Sequence, residues 1–184
     1  VWDKIVFSGA DSRGKEVKME LLVLSEDYFW RLGAIMVTDR NGKQLSIVDH
    51  LASQNMKRAL KGSKGIICVG TASEEGSLRL EEYRAAIRAD MLIKWMIETQ
   101  PGINAFYALG LGQYQQQKES LSQKMDYGLS SDYQRRIVLI NIVHRTPDTN
   151  LSEALKNGLG RLKPLPFELQ RFSNFDFRNR TSLI

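Results

Sequence analysis

The stretch from Arg135 to His144, RRIVLINIVH, constrains the fold of this chain more than any other. Its isoleucines, valines and leucine suit a pleated strand in a buried site. A chain of 184 residues is long enough for one substantial core, or for a core with an added lobe. No apolar run approaches the roughly 18 residues of a membrane-crossing helix. Hydrophobic residues at 42% and charged ones at 26% are ordinary for a soluble globular protein.

Residues 1–49 read as β-rich. Ser8 to Gly14 is a turn or loop, and Lys15 to Ser25, KEVKMELLVLS, partly alternates charged and apolar residues as a half-buried strand does. Phe29 to Thr38 is a second apolar run. The Asn41-Gly42 pair after it predicts a β-hairpin over Ile35 to Val48. From Asp49 the period changes. Asp49 is placed to cap a helix reaching Leu60, with Ala52, Met56 and Leu60 on one face, and Lys61-Gly62-Ser63 ends it.

Gly65 to Gly70, GIICVG, has the length and composition of a buried strand. A small polar loop, Thr71 to Ser77, follows. Leu80 to Thr99 predicts a long helix whose stripe is Tyr83, Ile87, Met91 and Trp95, widened by Leu92 and Met96. Pro101-Gly102 stops it. Asn104 to Gly112 is a strand closing on Gly-Leu-Gly, and Gln113 to Asp132 is a Gln- and Ser-rich surface loop. Leu151 to Leu159 forms a short helix opened by Asn150 or Ser152. A tail follows in which Phe167, Phe172, Phe175 and Phe177 stand among Arg171, Arg178 and Arg180.

The formal charge of +5 suits polyanions, acidic glycans or membrane surfaces, and equally suits ordinary solubility. Cys68 is the sole cysteine, which excludes an internal disulfide. It lies in an apolar strand, where an inert buried thiol is expected rather than a nucleophile. With His50 and His144 it shows no metal-ligand spacing, so neither a metal nor another cofactor is expected. Gly65 to Leu80 has the strand, loop and helix order of a phosphate site. It lacks the Gly-Lys-Ser/Thr ending, however, and carries Glu74 and Glu75, which would repel phosphate. No Ser, His and Asp set shares a local frame, so no enzyme is expected.

Four landmarks in order carry a resemblance. They are Val69-Gly70-Thr71 after a strand, and Ser77-Leu78-Arg79-Leu80-Glu81-Glu82-Tyr83-Arg84-Ala85 opening the long helix. Leu109-Gly110-Leu111-Gly112 closes the next strand, and Asp132-Tyr133-Gln134-Arg135-Arg136-Ile137 leads into the last. Over about residues 45–145 the chain resembles the OmpA-like (MotB-like) peptidoglycan-binding family, whose helix pattern is N-x-x-L-S-x-x-R-A. The resemblance implies an α/β fold (an α+β two-layer sandwich) with a β-α-β-α-β-β core over 45–146. Leu45 to Val48 is the nearest candidate for its first strand. Residues 1–44 would then be a β-rich extension packed on the core, and residues 147–184 a C-terminal helix and tail.

In that family an Asp of the loop and the Arg of the helix grip a diaminopimelate residue of peptidoglycan. The ligand is zwitterionic, so its ammonium needs a carboxylate and its carboxylate is matched by a planar guanidinium. Arg84 matches the family Arg. The Asp is missing, Ser77 replaces the family Asn, and Glu81 replaces the family Ser. The implied ligand-binding set is Arg84, Thr71, Ser73, Glu74, Ser77 and Arg135, with Glu74 or Glu75 standing in for the Asp. The alternative for Arg84 is a surface pair with Glu81, worth only about 0.2–0.5 kcal/mol.

The expected role is therefore a non-enzymatic cell-envelope module tethering to peptidoglycan. It would be periplasmic and anchored through a segment upstream of Val1. The alternative is a divergent domain that has lost wall binding and serves as a scaffold for envelope or membrane proteins. A homo-oligomer is compatible with either, and nucleic acid is not an expected partner. The tail's phenylalanines either pack on the domain or form a docking strip.

Overall fold

The computed structural model describes residues 2–24, 28–31, 36–39, 41, 43–44, 46–74, 76–115, 136–162 and 169–184. Strands β1 (Trp2–Ala10) and β2 (Glu16–Leu24) form an antiparallel hairpin, followed by the short strands β3 (Tyr28–Trp30) and β4 (Val37–Asp39). Helices α1 (Ile47–Leu51) and α2 (Gln54–Ala59) lead to β5 (Gly65–Ala72), α3 (Leu78–Thr99) and β6 (Phe106–Gln113). Then come β7 (Val138–Arg145), α4 (Leu151–Gly160) and β8 (Asp176–Asn179), with single 3-10 turns at Leu169–Arg171 and Thr181–Leu183.

The protein is mixed α and β, built on one six-stranded sheet of order β1-β2-β7-β5-β6-β8. β5 and β6 are parallel and joined through α3, while β7 lies antiparallel to both β2 and β5. The N-terminal hairpin is part of this sheet, because β2 is hydrogen-bonded to β7 along its length. β8, from the Phe- and Arg-rich tail, pairs with β6 at the opposite edge.

Side-chain alternation along each central strand splits the apolar residues between two cores. Ile66 and Cys68 of β5, with Leu139 of β7, pack under α1, α2 and α3. Ile67 and Val69, with Ile140 and Ile142, pack under α4. Both faces of the sheet are thus covered by helix, and the expected two layers become three. α3 and α4 each come close at a glycine: a Cβ on Gly70 would overlap the carbonyl oxygen of Ala85 in α3, and one on Gly9 that of Ala154 in α4.

The hairpin turn is organised by Asp11. Its carboxylate accepts from the N–H groups of Arg13 (2.9 Å), Lys15 (3.0 Å) and, across the chain, Asn150 (3.0 Å). Asn150 in turn caps α4 by accepting from the N–H of Glu153 at 3.1 Å. The start of α4 is thereby tied to the β1–β2 turn.

Three local expectations are corrected. Ile47 and Val48 are helical rather than extended, since α1 begins at Ile47, and around Asn41 the described residues form the Thr38–Gln44 bridge and the bonds of the Asp39 turn; Leu45 lies outside the described residues. The helix read from Asp49 to Leu60 is two helices. Ser53 breaks it, because its hydroxyl accepts from Met56 N–H and caps α2. Asp49 lies inside α1 and caps nothing. The buried stripe of α3 is Ala85, Arg88, Ala89, Leu92, Ile93 and Met96, whereas Tyr83 is 67% exposed. Small alanines allow the helix to sit close to Gly70; Leu92 and Met96 of the expected stripe are buried, Met91 and Trp95 pack on the edge of the core with Trp95 stacked on Trp30, and Tyr83 faces outward.

Candidate functional site

The candidate site is built where β5 ends and α3 begins. Ser73 and Thr71 are buried, Glu74 is half-buried, and Ser77 is the exposed N-cap of α3. Ser77 makes no side-chain capping bond. Its carbonyl accepts from Glu81 N–H at 2.9 Å. Gln113, at the end of β6, holds this loop in place: its amide nitrogen donates to the carbonyl oxygens of Glu74 (3.1 Å) and Gly76 (2.7 Å). Tyr114 N–H donates to Ala72 O at 2.8 Å, which zips the ends of β5 and β6 together.

Arg84 lies nearly two turns into α3 and pairs with the carboxylate of Glu81. The Glu81 side chain is only 6% exposed and rests against Gly76, where a Cβ would overlap it; that of Arg84 is 25% exposed. The pair is therefore not the surface i,i+3 contact anticipated from spacing. It occupies one arm of the Arg84 guanidinium with a carboxylate from the same helix.

Thr71 is contacted by a different arginine. Arg88, fully buried, donates from Nη1 to Thr71 O at 2.7 Å and from Nη2 to Arg31 O at 3.0 Å, with its guanidinium 5.6 Å from the Trp30 ring centre. The Thr71 hydroxyl is buried with no hydrogen-bond partner among the described residues. Sequence reading missed Arg88, although it lies four residues beyond Arg84 and on the row of Ala85, Leu92 and Met96. Arg135 and Glu75 lie outside the described residues. The structure thus brings Glu81, Arg84, Glu74 and Ser77 to one loop–helix junction, and joins Thr71 to Arg88.

The tail is seated on the same end of the sheet. Ser173 Oγ accepts from Gln113 N–H at 2.9 Å and donates to Glu82 at 3.1 Å, and Asn174 N–H donates to Leu111 O at 3.1 Å. Gly112 has φ +72°, and a Cβ there would collide with Ser173, which accounts for the second glycine of Gly-Leu-Gly. Phe177 stacks on Tyr107 at 5.4 Å, Phe172 meets Tyr114 edge-on, and Phe175 packs on the α4 side. Arg178 makes a two-armed pair with Asp90 of α3, both contacts 3.3 Å. These described phenylalanines pack on the domain; Phe167 is outside the described residues.

Burial pushes the Cys68 thiol well up, with the charge of Asp90 adding to the effect, so the thiolate is disfavoured. Among the described residues no group of three or more His, Cys, Asp or Glu side chains could hold a metal ion, and no helix is long and apolar enough to cross a membrane. Comparison with family models, with curated proteins and with solved structures returns no match for this chain.

Proposed function

We propose that the chain is a non-enzymatic module of the OmpA-like type, working in a bacterial cell envelope and tethering to peptidoglycan through Arg84. The connectivity supports this reading. Within the six-stranded sheet the chain from β2 to β7 runs strand, helix pair, strand, helix, strand, strand, with the separate β3–β4 pair set between β2 and α1, and β7 inserts between β2 and β5. The first core strand is then β2 rather than 45–48.

The position of Arg84 carries the ligand side of the proposal. It stands in the first turns of α3, beside the loop after β5 and partly open to solvent. A zwitterionic diaminopimelate residue would place its carboxylate on this guanidinium and its ammonium toward the loop carboxylates, Glu74 among them. To do so it must take the place of Glu81. Losing one charge-assisted contact costs about 1.5–3 kcal/mol, roughly ten- to a hundredfold in affinity. Wall binding is accordingly weak.

The Glu81–Arg84 pair also favours a second reading, in which wall binding has been lost and the module serves as a scaffold in the envelope. Co-sedimentation with purified cell-wall sacculi separates the two. Binding that Arg84→Ala abolishes supports tethering. No sedimentation, even when Glu81→Ser frees the arginine, supports the scaffold.

A further inference from the structure

We propose that β1, the free long edge of the six-stranded sheet, is the contact strand of a two-fold homodimer, pairing antiparallel with β1 of a second copy about Val6. This inference is independent of the wall-binding reading, because β1 lies three strands away from β5 and the loop beside Arg84.

The hairpin fixes which backbone groups of β1 are free. Asp11, one residue past the strand, donates its N–H to Lys15 O at 3.0 Å, in the same register as the β1–β2 pairs. Bonded and non-bonded pairs alternate along an antiparallel ladder, so the odd-numbered residues of β1 turn their N–H and C=O toward β2. The even-numbered ones, Trp2, Lys4, Val6, Ser8 and Ala10, turn theirs outward. Ala10 O is accordingly open to the side-chain amide of Asn157, which donates to it at 2.9 Å. Among the described residues no other backbone group of that outward row has a partner. Natural sheets shorten, bulge or charge an edge that must stay unpaired, or place proline on it. The opposite edge, β8, has four residues. β1 has nine, in unbroken register with β2 and without proline, and its midpoint, Val6, is 71% exposed.

A strand completes such an edge, and the residues and flanking helices select a second copy. The register that overlaps all nine residues puts Val6 on the two-fold axis against Val6 of the copy. Pairing about an even-numbered residue sets the outward row of one copy against the outward row of the other. Trp2 then meets Ala10, Lys4 meets Ser8, Asp3 meets Gly9 and Ile5 meets Phe7. Large side chains face small ones toward both ends, apolar meets apolar near the axis, and neither charge meets its like. The helices fit this symmetry. On one face α4 covers the Gly9 half of β1, and on the other Asn55, Met56 and Ala59 at α2 stand over Trp2 and Lys4. Val6 and Ser8 are exposed on the α2 face, and Asp3 on the α4 face. The two-fold sets the covered half of each copy beside the bare half of the other, so the helices are offset and leave room for the strands to meet. An isologous contact of this kind closes at two copies.

Sedimentation equilibrium of the whole chain tests the proposal. The wild type is expected at twice the chain mass at about 100 μM, well above a micromolar dissociation constant. Val6→Pro is expected at the chain mass with an unchanged circular dichroism spectrum, because the N–H it removes bonds nothing in β2 and its ring fills the edge. Val6→Lys should weaken the dimer about three- to tenfold by setting like charges together on the axis. Cysteine cross-linking with dithiodipyridine reads the register, since Cys68 is buried and its thiolate disfavoured. Val6→Cys should join to its own copy, and Ser8→Cys, whose opposite residue is Lys4, should not. A wild type that stays at the chain mass at this concentration would overturn the proposal and leave the edge to an extended segment of another protein. So would a dimer that survives Val6→Pro, or cross-links that form at Ser8→Cys as readily as at Val6→Cys.

Discussion

Arg88 donates to the carbonyl oxygen of Thr71 at 2.7 Å from a position with no exposed surface, and its second arm reaches Arg31 O at 3.0 Å. One guanidinium thus fastens the end of β5 and the residue after β3 to the middle of α3, under the Trp30 ring. Replacing it with methionine keeps most of the volume and leaves two carbonyls without this donor. Arg88→Met is expected to destabilise the fold by about 2–4 kcal/mol. Arg88→Lys should recover less than half, since an ammonium lacks the planar fork that spans both oxygens. Urea unfolding midpoints measure both.

The contact between α3 and β5 depends on the absence of a side chain at Gly70. A methyl group there would overlap Ala85 O, which belongs to helix backbone and cannot rotate aside. Gly70→Ala should cost about 1–3 kcal/mol by forcing the helix off the sheet. Gly102→Ala, where nothing lies within 4 Å of the added carbon, should stay within about 0.5 kcal/mol of wild type. Thermal unfolding of the two variants side by side makes the comparison.

Asp11 makes the fold acid-sensitive in a defined window. The N–H of Asn150 above all, then those of Lys15 and Arg13 and the Arg13 charge, outweigh burial and hold its carboxyl at about 2 instead of the ordinary 3.8. Between those values the unfolded chain binds the proton and the folded one does not. Asp11 therefore contributes its full stability above about pH 4, and loses it as pH falls toward about 2. Asp11→Asn should lower the urea midpoint at neutral pH, and the gap to wild type should shrink as the pH is lowered through this window.

Local signals made much of the fold legible. The apolar runs at β5, β6 and β7 and the cap at Asn150 declare themselves within ten residues of sequence. What stayed hidden depends on partners far along the chain. Nothing in Glu16–Leu24 says that it lies beside β7, more than a hundred residues later. In α3 the periodicity is genuine on two faces, and the bulkier stripe at Tyr83, Ile87 and Met91 drew the core assignment. Ala85 and Ala89 carry a weak hydrophobic signal and are buried because Gly70 lets the helix approach. The site was legible by half. The spacing of Glu81 and Arg84 predicted their pairing, but not that the glutamate would be buried against Gly76. Arg88 was passed over, because a buried arginine is betrayed only by the carbonyls it meets.

The reading of Arg84 as a wall-binding group closed by its own helix is tested most directly by calorimetric titration of a diaminopimelate-containing muropeptide into the wild type and Glu81→Ser. Serine at this position leaves the guanidinium open, and affinity should rise about ten- to a hundredfold, with Arg84→Ala removing binding from either background. If Glu81→Ser binds no more tightly than wild type, or if binding persists without Arg84, the assignment of this site is wrong.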